Sequence, residues 1–255
     1  MREKRTGQPG TEPISQPPAT EKTSFLAQST IFRELNAQDI SDLDQSITSL
    51  TCQPGHLIYR PGEASTALFF IKTGRIQLYH LSTDGRKLIT ITLNAGACFG
   101  EQVLYTPQIS TSFAEALTLS YLYVLSKADI NQLLTQNSAI ATTLLQLIGQ
   151  RLTHMETQLV STTFKSVTTR LAELLLQLAA APTEGSAELT IDGLSHEELA
   201  DRLGVYRETV SAALRELKEA HAIQIGRKHI VIRQPDLLQQ LAQTGGKTGL
   251  HRREY

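Results

Sequence analysis

Four polar side chains recur along one stretch of this chain at a spacing that would bring them to one face of a helix. They are Arg207, Glu208, Ser211 and Arg215. An arginine can make two hydrogen bonds to O6 and N7 of guanine, and a glutamate can accept one from N4 of cytosine. Apolar residues recur at helical spacing along the same stretch and would face inward: Val210, Leu214 and Leu217. The pattern predicts a surface helix with a polar reading face.

A shorter helix is expected immediately before this one. Ser195 and Glu198 have the spacing of a capping box, and Gly204 follows Leu203 where a helix exit needs positive φ. Two short helices joined by a tight turn are typical of a helix-turn-helix, whose second helix enters the major groove of DNA. An ordinary helical hairpin is the alternative, since motif matches of this kind are often false.

The residues that follow favour the first interpretation. Residues 223–225 and 229–233 alternate as two strands around Gly226, Arg227 and Lys228, which predicts a small basic hairpin, the wing of a winged helix. Between Arg202 and Arg233, seven basic side chains stand against three acidic ones, a local charge of +4 in a chain of net charge −1. We expect three of these basic side chains and one hydroxyl to contact DNA phosphate: Arg202, Arg215, Lys228 and Thr209.

The composition excludes several other classes of protein. With 255 residues, 40% hydrophobic and 19% charged, the chain is expected to form two globular domains. It has no apolar run of membrane-spanning length and no apolar signal-peptide core, so we expect a cytoplasmic protein without a membrane partner. Cys52 and Cys98 lack partners at metal-ligand spacing, which predicts two reduced cysteines and no metal site. No Ser/His/Asp or metal grouping predicts a catalytic residue, so the chain is not expected to be an enzyme.

The first half of the chain has the pattern of an all-β domain. Residues 25–50 predict one or two short helices with five buried side chains: Phe32, Leu35, Ile40, Leu43 and Ile47. From 51 to 125, turn signals recur about every 8–12 residues, which is typical of a sandwich or barrel. The segments LFFIKTG, RIQLYHL, KLITITL and LSYLYVL predict strands, and Asp84-Gly85 predicts a hairpin turn between two of them.

A long helical stretch should follow, capped by Ser126 with Asp129 three residues later. Apolar residues spaced 3, 4, 3 and 4 apart form a seam along it: Leu145, Ile148, Leu152, Met155 and Leu159. Such a seam predicts a partner helix and hence a homodimer. The alternative is a helix that packs one face on its own β-domain, a role that Leu144 and Leu147 could take. The residues at 161–163 weaken helix propensity, so a hinge is expected there.

Taken in this order, four motifs resemble the CRP/FNR family of bacterial transcription regulators over roughly residues 30–235. They are GHLIYRPGE, LFFIKTGRIQLY, DGRKLITITLNAGACFGE and GVYRETVSAALREL. The resemblance implies an α+β fold, with an N-terminal β-roll (a cyclic-nucleotide-binding-like jelly roll), a long dimerisation helix and a C-terminal winged helix-turn-helix. It also implies a homodimer that binds a palindromic DNA site, and an effector at the β-roll that modulates the DNA affinity. RNA polymerase is a further candidate partner. The expected segments are a disordered 1–24, a sensor domain 25–126, the dimerisation helix 127–162, the DNA-binding domain 163–240 and a disordered tail 241–255.

The resemblance also locates an effector pocket. In members that bind cyclic AMP, a Phe-Gly-Glu segment meets the ribose, an arginine followed by Ser or Thr holds the phosphate, and a Thr-Ser pair reads the adenine. The matching positions here are Gly100, Glu101, Ser110, Thr111, Met155 and Glu156. A serine at the arginine position supplies no charge to a phosphate, and a second carboxylate opposes an anion. Cyclic AMP is therefore disfavoured as the effector, and the sequence does not identify another effector or a cofactor. The alternative for Glu101 is a structural carboxylate.

The predicted recognition helix departs from the family motif at one position. Ala212 replaces the second arginine of the family's Arg-Glu-Thr-hydrophobic-x-Arg motif, whereas Ser211 occupies a position that the oxygen-sensing branch uses for a base contact. The alternative function is a small-molecule or haem-binding sensor with a vestigial DNA-binding domain.

Overall fold

A computed structural model describes Phe25, Ile40, Leu43 and residues 46–105, 109–179 and 189–243. The predictions for segment 1–24 and for Phe32 and Leu35 lie outside these residues, as does 244–255 of the expected disordered tail 241–255, whereas 241–243 are helical. Ile40, Leu43 and Ile47 are buried, as expected, in a cluster with Leu68, Tyr123, Ile130 and Ile140.

Eight strands form the N-terminal domain: β1 (Thr48–Cys52), β2 (Leu57–Tyr59), β3 (Ala67–Thr73), β4 (Arg75–Leu81), β5 (Lys87–Asn94), β6 (Cys98–Phe99), β7 (Phe113–Ala116) and β8 (Ser120–Ser126). They pair antiparallel in two four-stranded sheets, of order β1-β8-β3-β6 and β2-β7-β4-β5. The two sheets enclose a common apolar core, in which Ile71, Ile76 and Phe99 are fully buried. The four predicted strands and the β-roll are confirmed.

Strands β4 and β5 form a hairpin that pairs Leu81 with Lys87 across its end. In the turn, Gly85 has a φ of +84° and its N–H donates to the Ser82 carbonyl, while the Ser82 N–H donates to Arg86. Such a positive φ is easy only for glycine, which explains why the Asp84-Gly85 pair marks the turn. The predicted hairpin is confirmed.

The helical stretch consists of two helices, α1 (Lys127–Gln136) and α2 (Ser138–Phe164), where the sequence predicted one. Asn137 separates them: its N–H closes α1 on the Leu133 carbonyl, and its side chain caps α2 by accepting from the Ala139 N–H at 3.1 Å. The prediction missed this break because an asparagine inside a helical pattern does not by itself signal a cap.

Helix α2 passes through the expected hinge at 161–163 without a break. The hydroxyls of Thr162 and Thr163 donate to carbonyls four residues earlier, at 2.7 and 2.8 Å, so neither competes with the helix by forming a turn. The chain leaves the helix at Lys165, and α3 (Val167–Leu178) begins two residues later with Ser166 as its cap. The connection between the helices therefore lies at 165–166.

The C-terminal domain contains β9 (Leu189–Asp192), α4 (His196–Leu203), α5 (Arg207–Glu219), β10 (Ile223–Gly226), β11 (His229–Ile232) and α6 (Pro235–Gln243). The strands form an antiparallel sheet of order β10-β11-β9, so the predicted two-stranded wing is confirmed with one further strand. Helices α3, α4, α5 and α6 share one core with this sheet. Strand β9 and helix α6 were not predicted.

Candidate nucleic-acid interface and effector pocket

The two helices of the predicted helix-turn-helix are α4 and α5, and the turn between them has the expected chemistry. The Ser195 hydroxyl accepts from the Glu198 N–H at 3.2 Å, and the Glu198 carboxylate accepts from the Ser195 N–H at 2.7 Å. The pKa of Glu198 is lowered by two donors to its carboxylate, first the Ser195 N–H and then the Ser195 hydroxyl at 2.8 Å. Gly204 ends α4 with a φ of +64°, and the Val205 N–H donates to the Ala200 carbonyl. The capping box and the glycine exit are confirmed.

Helix α5 has one apolar and one polar face. Its apolar face is fully buried in the domain core: Val210, Ala213, Leu214 and Leu217 are each at most 3% exposed. Its polar face is open to solvent and brings together Arg207, Glu208, Thr209 and Arg215, with Ser211 half-buried at its edge. The spacing of the apolar residues produces this division, because they recur at the helical period while the polar residues fill the positions between them.

The Ser211 hydroxyl is held by two groups of the protein. Its oxygen lies 3.0 Å from the Arg207 carbonyl oxygen, one turn earlier in α5, and 2.9 Å from Nδ1 of His196, the first residue of α4. His196 was not predicted as a site residue, and its position directly after the Ser195 cap was the available signal.

The wing lies beside the start of α4. Lys228 occupies the turn between β10 and β11 with a φ of +52°, its side chain is exposed, and its carbonyl accepts from the Gly193 N–H at 2.9 Å. Its charge contributes to lowering the pKa of Glu198 at the first turn of α4. The wing therefore contacts the start of the helix-turn-helix through a backbone hydrogen bond and through the attraction between Lys228 and Glu198.

Arg202 differs from the other expected phosphate contacts, which are exposed. It is half-buried and lines a cavity of about 740 Å³ between α2, α3, α4 and the β4–β5 hairpin, together with Leu88, Met155 and Arg170. Its Nε is buried and has no hydrogen-bond partner in the described part of the chain. Burial also lowers the pKa of the neighbouring Arg170, whose guanidinium donates to the Leu203 carbonyl.

In the β-roll, Gly100 sets the position of Glu101. Its φ is +90°, and a Cβ there would lie 2.7 Å from the Ala67 carbonyl oxygen and 2.9 Å from the Phe69 ring, so only glycine fits. The ring of Phe99 stacks on Phe69 at 5.0 Å. A short 3-10 turn, Glu101–Leu104, starts directly after this constriction and directs the Glu101 carboxylate toward α2.

The partner of Glu101 is Arg151 of α2. The two side chains form an ion pair in which each is less than one-fifth exposed, and the Arg151 guanidinium also donates to the Cys98 carbonyl. Burial raises the pKa of the nearby Tyr59 strongly, and the Glu101 charge raises it further. Arg151 was not predicted, although it lies one helical turn before Met155 and so on the same side of α2.

The remaining expected pocket residues include both buried and exposed positions. Ser110 is 2% exposed, and its backbone pairs with Gly62 and Glu63 at 2.9 and 2.8 Å. Thr111 is exposed, as are Met155 and Glu156 on α2. The structure therefore brings Gly100 and Glu101 together with Arg151, places Ser110 inside the β-roll, and leaves Met155 and Glu156 on an open helix face of the single chain.

Both cysteines are buried, and burial raises the pKa of the Cys52 and Cys98 thiols to about 11. Thiols of this kind are protonated and poorly reactive at neutral pH. In the described part of the chain, no three His, Cys, Asp or Glu side chains group where they could hold a metal ion.

Two domain families match the chain in the order that the structure shows. The cyclic nucleotide-binding domain matches residues 50–137 and the Crp-like helix-turn-helix domain matches residues 169–241, together more than half of the chain. The chain is similar to a CRP-like cAMP-activated global transcriptional regulator from Mycobacterium tuberculosis, at 26% identity over 86% of this chain and 98% of that protein. It is also similar to a global nitrogen regulator from Synechococcus elongatus, at 27% identity over 83% and 95% of the two chains.

A solved structure has the same fold. It is a transcriptional regulator of the CRP/FNR family from Eubacterium rectale, with a TM-score of 0.68 and 21% identity, covering 84% of this chain and 97% of its own. The Mycobacterium tuberculosis relative and the Eubacterium rectale protein are both described as transcriptional regulators. The chain is therefore a CRP/FNR-type transcription regulator, with a cyclic nucleotide-binding-type sensor domain and a Crp-like helix-turn-helix DNA-binding domain.

Proposed function

We propose that the chain acts as a homodimer that reads a palindromic DNA site with α5, and that an effector acting on Glu101 and Arg151 sets its DNA affinity. The observation that carries this proposal is the division of α5 into a fully buried apolar face and an open polar face. A helix whose polar face is exposed and whose apolar face is fixed in a domain core can enter the major groove while the domain stays folded.

We assign base reading to the start of α5. Arg207 and Glu208 are the first two residues of the helix and are both exposed, which suits a guanine and a cytosine contact respectively. Thr209, Arg215 and Lys228 are exposed around them and suit phosphate. Arg202 would have to turn out of its cavity to reach a phosphate, so its contribution should be the weakest of the expected contacts.

The proposed dimer uses the open face of α2. Leu145, Leu152, Met155 and Leu159 are 58–69% exposed along this helix, with the half-buried Ile148 between them, whereas Ile140 and Leu144 are buried against the β-roll. Packing on the sensor domain thus uses one face only. A continuous apolar stripe of this length is costly to leave in water, and a second copy of α2 would cover it. Because such a dimer is two-fold symmetric, its DNA site should hold two equal half-sites about one helical turn apart.

The effector should not be cyclic AMP. A buried phosphate needs a positive partner, Ser110 has no charge, and the Arg151 guanidinium is already paired with Glu101. We propose that the true effector changes this ion pair, because Glu101 belongs to the β-roll and Arg151 to the dimerisation helix. Calorimetry should find at most weak binding of cyclic AMP, and micromolar affinity would contradict the assignment.

We expect the protein to act in the cytoplasm, where its DNA is, with RNA polymerase as a further candidate partner. No helix in the described ranges is long and apolar enough to cross a membrane.

Selection of binding sites from random DNA with the purified full chain tests the proposed function. We expect an enriched palindrome whose affinity falls steeply with salt, as phosphate contacts require. Enrichment of no sequence would contradict it and would favour a sensor whose DNA-binding domain is vestigial.

A further inference from the structure

We infer that His196 and the backbone of α5 make the Ser211 hydroxyl a pure hydrogen-bond acceptor toward DNA, so that it reads adenine or cytosine on the strand it contacts. The inference rests on the proposed function, since it takes α5 as the helix that enters the major groove. It assigns a base class to one position of the site and a specificity role to His196.

The Ser211 oxygen makes two contacts, at 3.0 Å to the Arg207 carbonyl oxygen and at 2.9 Å to Nδ1 of His196. A serine hydroxyl has one proton and two lone pairs. A carbonyl can only accept, so the Ser211 hydroxyl donates to the Arg207 carbonyl. When Nδ1 of His196 carries a proton, it donates to the serine oxygen and leaves one lone pair free.

The result does not depend on which imidazole nitrogen carries the proton. If Nδ1 of His196 is unprotonated, the Ser211 hydroxyl donates to it, and its single proton is again used inside the protein. If the imidazole is doubly protonated, Nδ1 donates as in the first case. In each arrangement Ser211 has only lone pairs to offer to a base.

This restricts what Ser211 can recognise. In the major groove the hydrogen-bond donors are the N6 amino group of adenine and the N4 amino group of cytosine, whereas N7 and O6 of guanine and O4 of thymine accept. A lone pair of Ser211 can accept a hydrogen bond from the amino group of adenine or cytosine, whereas it is repelled by the acceptor atoms of guanine and thymine. His196 is a positioning residue in this scheme, because it acts on the base only through the direction of the Ser211 hydroxyl.

The test begins with site selection by the wild-type chain and by Ser211→Ala. The base pair whose preference is lost in Ser211→Ala is the one that Ser211 reads, and the adenine or cytosine of that pair is the base whose amino group should donate to Ser211. That base is then replaced by an analogue without its exocyclic amino group, purine for adenine or 2-pyrimidinone for cytosine. Loss of the amino group should weaken wild-type binding about twofold to tenfold, as loss of one hydrogen bond does, and should not affect Ser211→Ala.

Three controls accompany this measurement. A 7-deaza purine in the same pair removes an acceptor and should leave wild-type affinity unchanged. The variant His196→Phe keeps a ring but no hydrogen-bonding nitrogen, so it should broaden the base preference at this pair alone. Thr209→Ala removes another hydroxyl of α5, one without a histidine partner, and should lower affinity for all sequences alike.

The outcomes separate the inference from the proposed function. If 7-deaza substitution weakens wild-type binding, Ser211 donates to N7 and the inference is wrong. If the wild-type chain selects a site but Ser211→Ala changes no base preference, or His196→Phe leaves the preference unaltered, the inference is wrong while the function stands. If the wild-type chain selects no site, the proposed function fails and the inference fails with it.

Discussion

The Tyr206 hydroxyl donates a hydrogen bond of 2.7 Å to the Asp84 carboxylate, which belongs to a residue 122 positions earlier in the chain. Tyr206 is the residue before α5, and Asp84 lies in the turn of the β4–β5 hairpin. The Arg86 guanidinium lies over the Tyr206 ring at 4.6 Å and pairs with Asp84 at 2.9 Å, while Leu88 packs against Gly204. The sensor domain therefore contacts the turn of the helix-turn-helix while the polar face of α5 stays open.

We predict that Tyr206→Phe weakens binding to the selected DNA site about twofold to fivefold, the range expected for one exposed charge-assisted contact. The ring and its contact with Arg86 remain, and only the hydrogen bond that orients α5 relative to the sensor is lost. Fluorescence anisotropy with labelled DNA measures the change. The matched control is Tyr121→Phe, a partly exposed tyrosine of β8. Equal affinities of the two variants would show that the contact does not orient the helix.

The same contact predicts a pH dependence. Its hydrogen bond to Asp84 raises the pKa of Tyr206, and the Ser82 and Tyr206 hydroxyls lower the pKa of Asp84. A raised tyrosine pKa means that the contact is complete below the ordinary value of about 10 and is lost as pH rises through the raised value. The tyrosinate absorbance difference between wild type and Tyr206→Phe follows this titration. We expect Asp84→Asn to move its midpoint down, and an unchanged midpoint would contradict the link.

The dimer seam should be sensitive to charge. We predict that Ile148→Glu and Leu152→Glu give monomers that bind DNA weakly, because a carboxylate in an apolar helix interface is not solvated or paired. Sedimentation velocity measures the oligomeric state. Gln146→Glu introduces the same charge on the exposed surface of α2 outside the seam and should leave the dimer intact. Dimers of unchanged stability in the seam variants would remove α2 from the interface.

Breaking the buried ion pair should destabilise the sensor domain. Arg151→Met leaves the Glu101 carboxylate mostly buried without its partner, which we expect to lower the free energy of unfolding by about 2–3 kcal/mol. In Glu101→Gln combined with Arg151→Met no charge is left unpaired, so the double variant should lose less than the sum of the two single losses. Urea denaturation of the four proteins measures this coupling. Strictly additive losses would mean that the pair does not couple the β-roll to α2.

Several local patterns predicted the structure correctly, although the cap at Asn137 was missed and the expected hinge at 161–163 is continuous helix. Ser195 with Glu198, Gly204 and the Asp84-Gly85 turn are local patterns, and each is found where it was predicted. The alternation of apolar residues likewise predicted the β-roll strands and the wing, because a strand or helix buries one face at a fixed period.

Contacts between residues distant in the chain could not be predicted in this way. Arg151 meets Glu101 only because α2 packs across the end of β6, and Tyr206 meets Asp84 only because the hairpin reaches the other domain. Neither position has an unusual residue type or neighbour. The resemblance identified Glu101 as a pocket residue but gave no partner for it, so its ion pair emerged from the packing of the helix on the β-roll.

Helix α5 is proposed to read bases while the wing holds phosphate, and one measurement tests this division directly. The DNA affinities of Glu208→Ala and Lys228→Asn are measured on the selected site and on non-specific DNA at several salt concentrations. Asparagine replaces Lys228 because it tolerates the φ of +52° at this turn. Glu208→Ala should lower affinity for the selected site by the equivalent of about 1–3 kcal/mol and leave non-specific binding unchanged. Lys228→Asn should weaken both alike and reduce the salt slope by about one unit. Equal losses on both DNAs for Glu208→Ala, or no loss for either variant, would contradict the account.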